Sequence, residues 1–232
     1  MRTRGLAGVS GTFRPGDEDF VGKWQARWPE WRIGMAFVPP ALRERVAPWF
    51  ALLDEFGDAA WAGNDATPGL AKLAWWQEEL QGWARGARRH PLATQLQRVD
   101  APWQTLALAL RLLPATREHP ADLARNLVQL QDLALAVAAC ETTLFGDGSR
   151  DSGDGRISAT PLLAMQAFVR ADQPLAARLL AEWPPGNGGT RPRRIADAIT
   201  QSRLRILVRD GESRPVPGAR VLWSSWRAAR RR

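Results

Sequence analysis

The chain has 232 residues, a mass of 25.7 kDa and a formal net charge of +8. Hydrophobic residues at 45% and charged residues at 24% exclude a wholly disordered chain, a collagen and a coiled-coil rod. The single cysteine, Cys140, excludes an intramolecular disulfide framework and fits a reducing compartment. No uncharged apolar run approaches the roughly 18 residues of a membrane-crossing helix, and residues 1–20 lack the apolar core of a secretory signal. The expected location is cytoplasmic, or peripheral to the inner face of a membrane.

The charge is uneven. Residues 191–232 hold 12 arginines against Asp197, Asp210 and Glu212, while the preceding 190 residues are close to neutral. Only Lys23 and Lys72 are lysine. An arginine- and alanine-rich bias is as much a property of composition as of phosphate recognition, so nucleic acid is not an expected partner.

Residues 1–22 read as a loose N-terminal arm, and residues 23–232 as one helical domain with a basic end. Trp24, Trp28 and Trp31 are spaced as one stripe of a short helix or turn, with burial as the plain structural reading. Leu42, Val46, Trp49, Phe50, Leu53, Phe56 and Ala60 form a buried stripe over 41–61, which Pro48 should kink or break. Thr67–Pro68 opens a helix to about Gly86, with Thr67 as its cap. Pro91 starts a shorter one, and Pro102 opens a segment to Leu113. Pro120 starts the longest predicted helix, to about Phe145. The glycine- and aspartate-rich run 146–156 is a loop. Helices follow over 160–171, 174–183 and 195–208. A short basic helix over 218–232 carries Leu222, Trp223 and Trp226. With no alternating strand pattern, the expected fold is all-α, an irregular bundle of about eight helices.

Candidates for chemistry are few. His90 and His119 each precede a proline and have no ligand spacing to another histidine or cysteine, so both read as structural. Cys140 lies on an apolar stripe without a flanking base and reads as a buried thiol. Asp147, Asp151 and Asp154 lack the spacing of a calcium loop. One pair stands out. Asp54 and Asp58 are four apart on a helix, which places both carboxylates on one face, where they could share Mg²⁺ or pair with arginine. Glu78 and Glu79, on the next helix, face either that pair or water.

The run Phe37-Val38-Pro39-Pro40, then Arg43, through Asp54-x-x-x-Asp58 resembles the first aspartate-rich helix of squalene and phytoene synthases. Leu73 to Leu80, with Trp75, Trp76, Glu78 and Glu79, followed by Gly86 and His90-Pro91-Leu92, is similar to the same family. The resemblance covers about residues 33–146. It implies an isoprenoid-synthase fold in which two aspartate-rich helices hold Mg²⁺ and the diphosphate of a prenyl substrate. Asp54, Asp58, Arg43, Glu78 and Glu79 would then be the diphosphate- and metal-binding residues. The sequence departs from the pattern at Ala51, where the family has arginine. It departs again where the second aspartate motif would stand, because residues 160–169 carry no charge.

Three functional readings follow. The first is a divergent member that binds a prenyl diphosphate or lipid, or a protein partner in the manner of the family's non-catalytic assembly factor, without full head-to-head coupling. The second is an active Mg²⁺-dependent prenyl-diphosphate transferase. The third is a membrane-surface or nucleic-acid binder driven by the basic C-terminal segment. There Trp223, Trp226, Arg227 and Arg230 would be the membrane-contact residues, since arginine interleaved with tryptophan suits an anionic interface. The plain structural alternative docks those tryptophans on the core and leaves the arginines in water.

Overall fold

Polar caps and prolines set most of the helix starts. The computed structural model describes residues 19–118, 122–146, 159–184 and 188–230, and every regular element among them is helical. Asp19 accepts a hydrogen bond from Gly22 N–H and starts α1, Phe20–Arg27, so helix begins inside the stretch read as an arm. A short α2, Trp31–Gly34, follows, and then a 3₁₀ turn, Met35–Phe37. The tryptophan stripe is buried: Trp24, Trp28 and Trp31 all belong to the core.

The next helix, α3, spans Arg43–Trp61 after a 3₁₀ turn at Pro40–Leu42. Pro48 lies inside it without breaking it. The missing N–H and the ring clash cost roughly 3 kcal/mol in a helix interior. Burial of Val46, Trp49, Phe50, Leu52 and Phe56 on the same helix offsets that, at roughly 1.5–3 kcal/mol per large side chain.

Helix α4, Thr67–Ala84, starts where the Thr-Pro signature placed it. Thr67 is its first helical residue rather than its cap, and Asp65 Oδ1 accepts from the Thr67 N–H instead. The single turn α5, Ala93–Leu96, is followed by α6, Trp103–Ala109, and by α7, Leu113–Glu118.

The longest predicted helix divides. Asp122 caps α8, Leu123–Gln129, and α9 runs over Gln131–Phe145. The two meet at 48°, with the fully buried Leu130 at φ −87°, ψ 2° between them. The bend lets α8 pack on α7 while α9 packs on α6. His119, Pro120 and the loop aspartates Asp147, Asp151 and Asp154 lie outside the described residues.

The C-terminal half adds α10, Thr160–Arg170, α11, Gln173–Ala181, α12, Arg191–Asp210, and α13, Gly218–Arg230. Asp172 is the N-cap of α11, accepting from Leu175 N–H. Helix α3 is central: α1, α4 and α10 all pack against it, and α10 to α13 build out from there. Among the described residues no single helix is long and apolar enough to cross a membrane; α8 and α9 pass that test only as a bent pair.

Candidate functional site

Docking of α1 on α3 brings Arg27, from the last turn of α1, over the Asp54/Asp58 face. A cation there also suits the negative end of the α1 dipole. Its Nη1 donates to Asp54 Oδ2 and to Asp58 Oδ1, each at 2.8 Å, and Nη2 donates to Asp58 Oδ2 at 2.9 Å. Trp28 Nε1 donates to Asp54 Oδ1 at 3.1 Å. Burial pushes the Asp54 carboxyl up to about 6, against the opposing pull of Arg27 and the Trp28 hydrogen bond.

The shared face expected from the spacing is therefore real, and arginine occupies it. No group of three or more histidine, cysteine or acidic residues suited to a metal ion occurs among the described residues. The two carboxylates are committed to a guanidinium, so the donor set does not fit a Mg²⁺ clamp.

The other resemblance-implied residues do not join this pair. Arg43 starts α3, eleven residues before Asp54, about 16 Å along the axis. It donates from Nε to Val38 O and from Nη2 to Ala36 O, closing the turn before its own helix. Glu79 is buried, accepting from Trp83 Nε1 at 2.9 Å and from His90 N–H at 3.0 Å, with Arg89 as its ion-pair partner. Its role is to fix the loop after α4. Glu78 faces solvent. His90 is structural, its Nδ1 accepting from Leu92 N–H. Cys140 is buried and its thiol is pushed up to about 12 by that burial, which makes it a poor nucleophile at neutral pH.

Two cavities flank the Arg27 cluster. One, of about 90 Å³, is walled by Trp24, Trp31, Phe50 and Ile199, with Asp54 and Arg193 as its charged points. The other is an open groove of about 1060 Å³. Its lining is apolar at Met165, Phe168 and Val169 of α10 and charged at Arg27, Lys72, Arg203, Asp58 and Asp65. Trp28, Met165 and Phe168 line both cavities. Close approach of α10 depends on Gly57, where a Cβ would lie 2.5 Å from Met165 Cγ.

Arg203, which also lines the groove, centres a second cluster. Arg203 donates to Glu30 from Nε at 2.7 Å and from Nη2 at 2.8 Å, and Nη2 also donates to Arg27 O at 2.6 Å. Val216 N–H donates to Glu30 Oε1 at 2.8 Å, and the Arg203 guanidinium lies 4.2 Å from the Trp28 ring centroid. This cluster holds Trp28 in place between the two cavities.

Sequence reasoning missed Arg27, Lys72 and Arg203. The groups that Arg27 and Arg203 pair with lie 27 to 176 positions away, and no local pattern marks such pairs. The C-terminal segment forms the predicted helix, and Trp223 and Trp226 point outward from it rather than into the core. No protein-family model, curated protein or solved structure matches the chain.

Proposed function

We propose that this chain is a binding module for an amphiphile with an anionic head, of which a prenyl diphosphate is the model compound, and that it binds without Mg²⁺. The observation that carries the reading is the groove, where apolar Met165, Phe168 and Val169 share the lining with Arg27 and Lys72, cations paired with Asp58 and Glu55 that a stronger anion could draw away. Arg27 and Lys72 keep 42% of their side chains exposed even while ion-paired, so both remain within reach of a head group. The cavity volume suits a ligand of that size, since small-molecule sites run to roughly 300–1000 Å³. Metal-assisted departure of the diphosphate needs a carboxylate clamp, and here Arg27 fills it. The resemblance to squalene and phytoene synthases supports the ligand class and the helical shell.

The test is a thermal-shift titration with farnesyl diphosphate, in EDTA and in Mg²⁺, on wild type and on the double variant Asp54→Asn, Asp58→Asn. Ligand at about a hundred times its dissociation constant should stabilise the fold by about 2.7 kcal/mol. The expected result is stabilisation in EDTA, stronger in the double variant because Arg27 is released to the head group. Ala26→Trp, at an exposed position lining the groove, should abolish it. Stabilisation that requires Mg²⁺ and vanishes in the double variant would replace this reading with the metal-dependent one. No shift under any condition would refute both.

A further inference from the structure

Helix α13 is docked by one face and displays the other. Val221, Ser225 and Ala228 are buried against the body, where α13 packs on α12, α2 and the turn at Met35–Phe37. Both ends are tied. Val216 N–H, just before the helix, is held by Glu30, and Arg194 Nε donates to Ala228 O at 3.1 Å in the last turn. The outward face is thus the exposed side of a fixed helix, not the unpacked side of a loose one.

That face is apolar and aromatic. Trp223 is 61% exposed, Leu222 53% and Trp226 37%. The two indoles stack on each other, with centroids 5.0 Å apart and planes at 29°. Arg230 lies over the Trp226 ring, 4.8 Å from its centroid. Angular positions at 100° per residue place Ala219, Trp226, Arg230 and Trp223 along the outward line, with Arg220 and Arg227 on one flank. The 13 residues contain three arginines and no acidic side chain.

We infer that the outward face of α13 is a docking surface for an anionic lipid bilayer. Tryptophan carries a broad apolar body and one N–H donor, which suits the boundary between head groups and acyl chains. The exposed arginines supply the complementary charge for anionic lipid, and Arg230 keeps its guanidinium against the Trp226 ring at the edge of the apolar stripe. A helix about 20 Å long lying flat in the interface satisfies all its inner backbone hydrogen bonds internally. The inference stands apart from the groove reading: it uses another face of the molecule and none of the same side chains.

The experiment is sedimentation of the full chain with extruded vesicles, of phosphatidylcholine alone or of phosphatidylcholine with phosphatidylglycerol. Wild type should pellet with the anionic vesicles, weakly with the neutral ones, and less as salt rises. Trp223→Ser with Trp226→Ser should abolish the binding. Arg227→Gln with Arg230→Gln should weaken it by roughly tenfold or more. All four side chains are exposed, so both variants should melt as wild type does. Failure of wild type to bind anionic vesicles would overturn the inference, as would equal binding by the tryptophan variant. Binding of a single-stranded oligonucleotide in place of vesicles would assign the face to nucleic acid instead.

Discussion

The tryptophans of the body and those of α13 share one local signature, repetition at three- and four-residue steps, and meet opposite fates. In the body most of the indoles are buried, Trp75 excepted, and several of the buried N–H groups find protein acceptors while that of Trp76 has none among the described residues. Trp49 donates to Glu141 at 2.7 Å, Trp61 to Thr116 Oγ1 at 3.0 Å, Trp83 to Glu79 at 2.9 Å and Trp103 to Val99 O at 3.1 Å. Trp223 and Trp226 stack on each other and face outward. Spacing marks an apolar face, and only the position of the helix in the bundle decides whether protein covers it. Buried polar groups are normally paired, and Glu141, Thr116 and Glu79 supply that pairing for Trp49, Trp61 and Trp83. On the displayed face Trp226 has an arginine, Arg230, over its ring instead.

The contrast breaks most sharply at the buried end. Trp83→Ala should cost about 3–5 kcal/mol by denaturant melting, through the lost packing and the unmatched Glu79 acceptor. Glu30→Ala should cost a similar amount, about 3–5 kcal/mol, because it leaves the buried Arg203 without its carboxylate and Val216 N–H without an acceptor. Trp83→Phe keeps most of the apolar volume and should cost less, about 1–3 kcal/mol.

A smaller effect comes from pH. Burial pushes Asp54 up to about 6 and Asp197 up to about 7, the latter despite Arg193, which Glu141 shares. Both values lie above the ordinary 3.8, so the folded state binds these protons more tightly than the unfolded chain. Their contribution to stability is largest near pH 4 and is lost as pH rises through 6 and 7. The melting temperature of Asp197→Asn should therefore decline less across pH 4.5–7.5 than that of wild type. An unchanged slope would remove Asp197 from the account. The smallest effect belongs to the displayed pair: Trp223→Ala should stay within about 0.5 kcal/mol of wild type. A loss of several kcal/mol there would mean the face is covered after all.

Much of the fold was legible because prolines, caps and apolar stripes are local. The starts of α4 and α10 and the middle of α12 followed from them, although α12 begins at Arg191, four residues before the predicted start, on a Thr190 cap. The division of α8 from α9 did not, because Gln129-Leu130-Gln131 contains no glycine or proline. The bend is imposed by two different packing partners, α7 and α6. At the site, the common face of Asp54 and Asp58 could be read from their spacing. The identity of their partner could not, since Arg27 reaches them only when α1 docks on α3. Glu79 shows the reverse limit: its place in a resemblance motif suggested a ligand, while its burial beside Trp83 and His90 makes it a brace.

The Glu30–Arg203 cluster also bears on the order of events during synthesis. Residues 27–30 emerge from the ribosome 173 positions before Arg203, an interval of roughly 10–30 s at ordinary elongation rates. Through that interval Glu30 has neither of its final partners, and the tryptophans of α1 and α2 wait for α10 and α12 to cover them. These early-made helices are among the last to be secured. A nascent chain halted before Arg203 should expose that indole surface to chaperones, and one extended past Val216 should bury it.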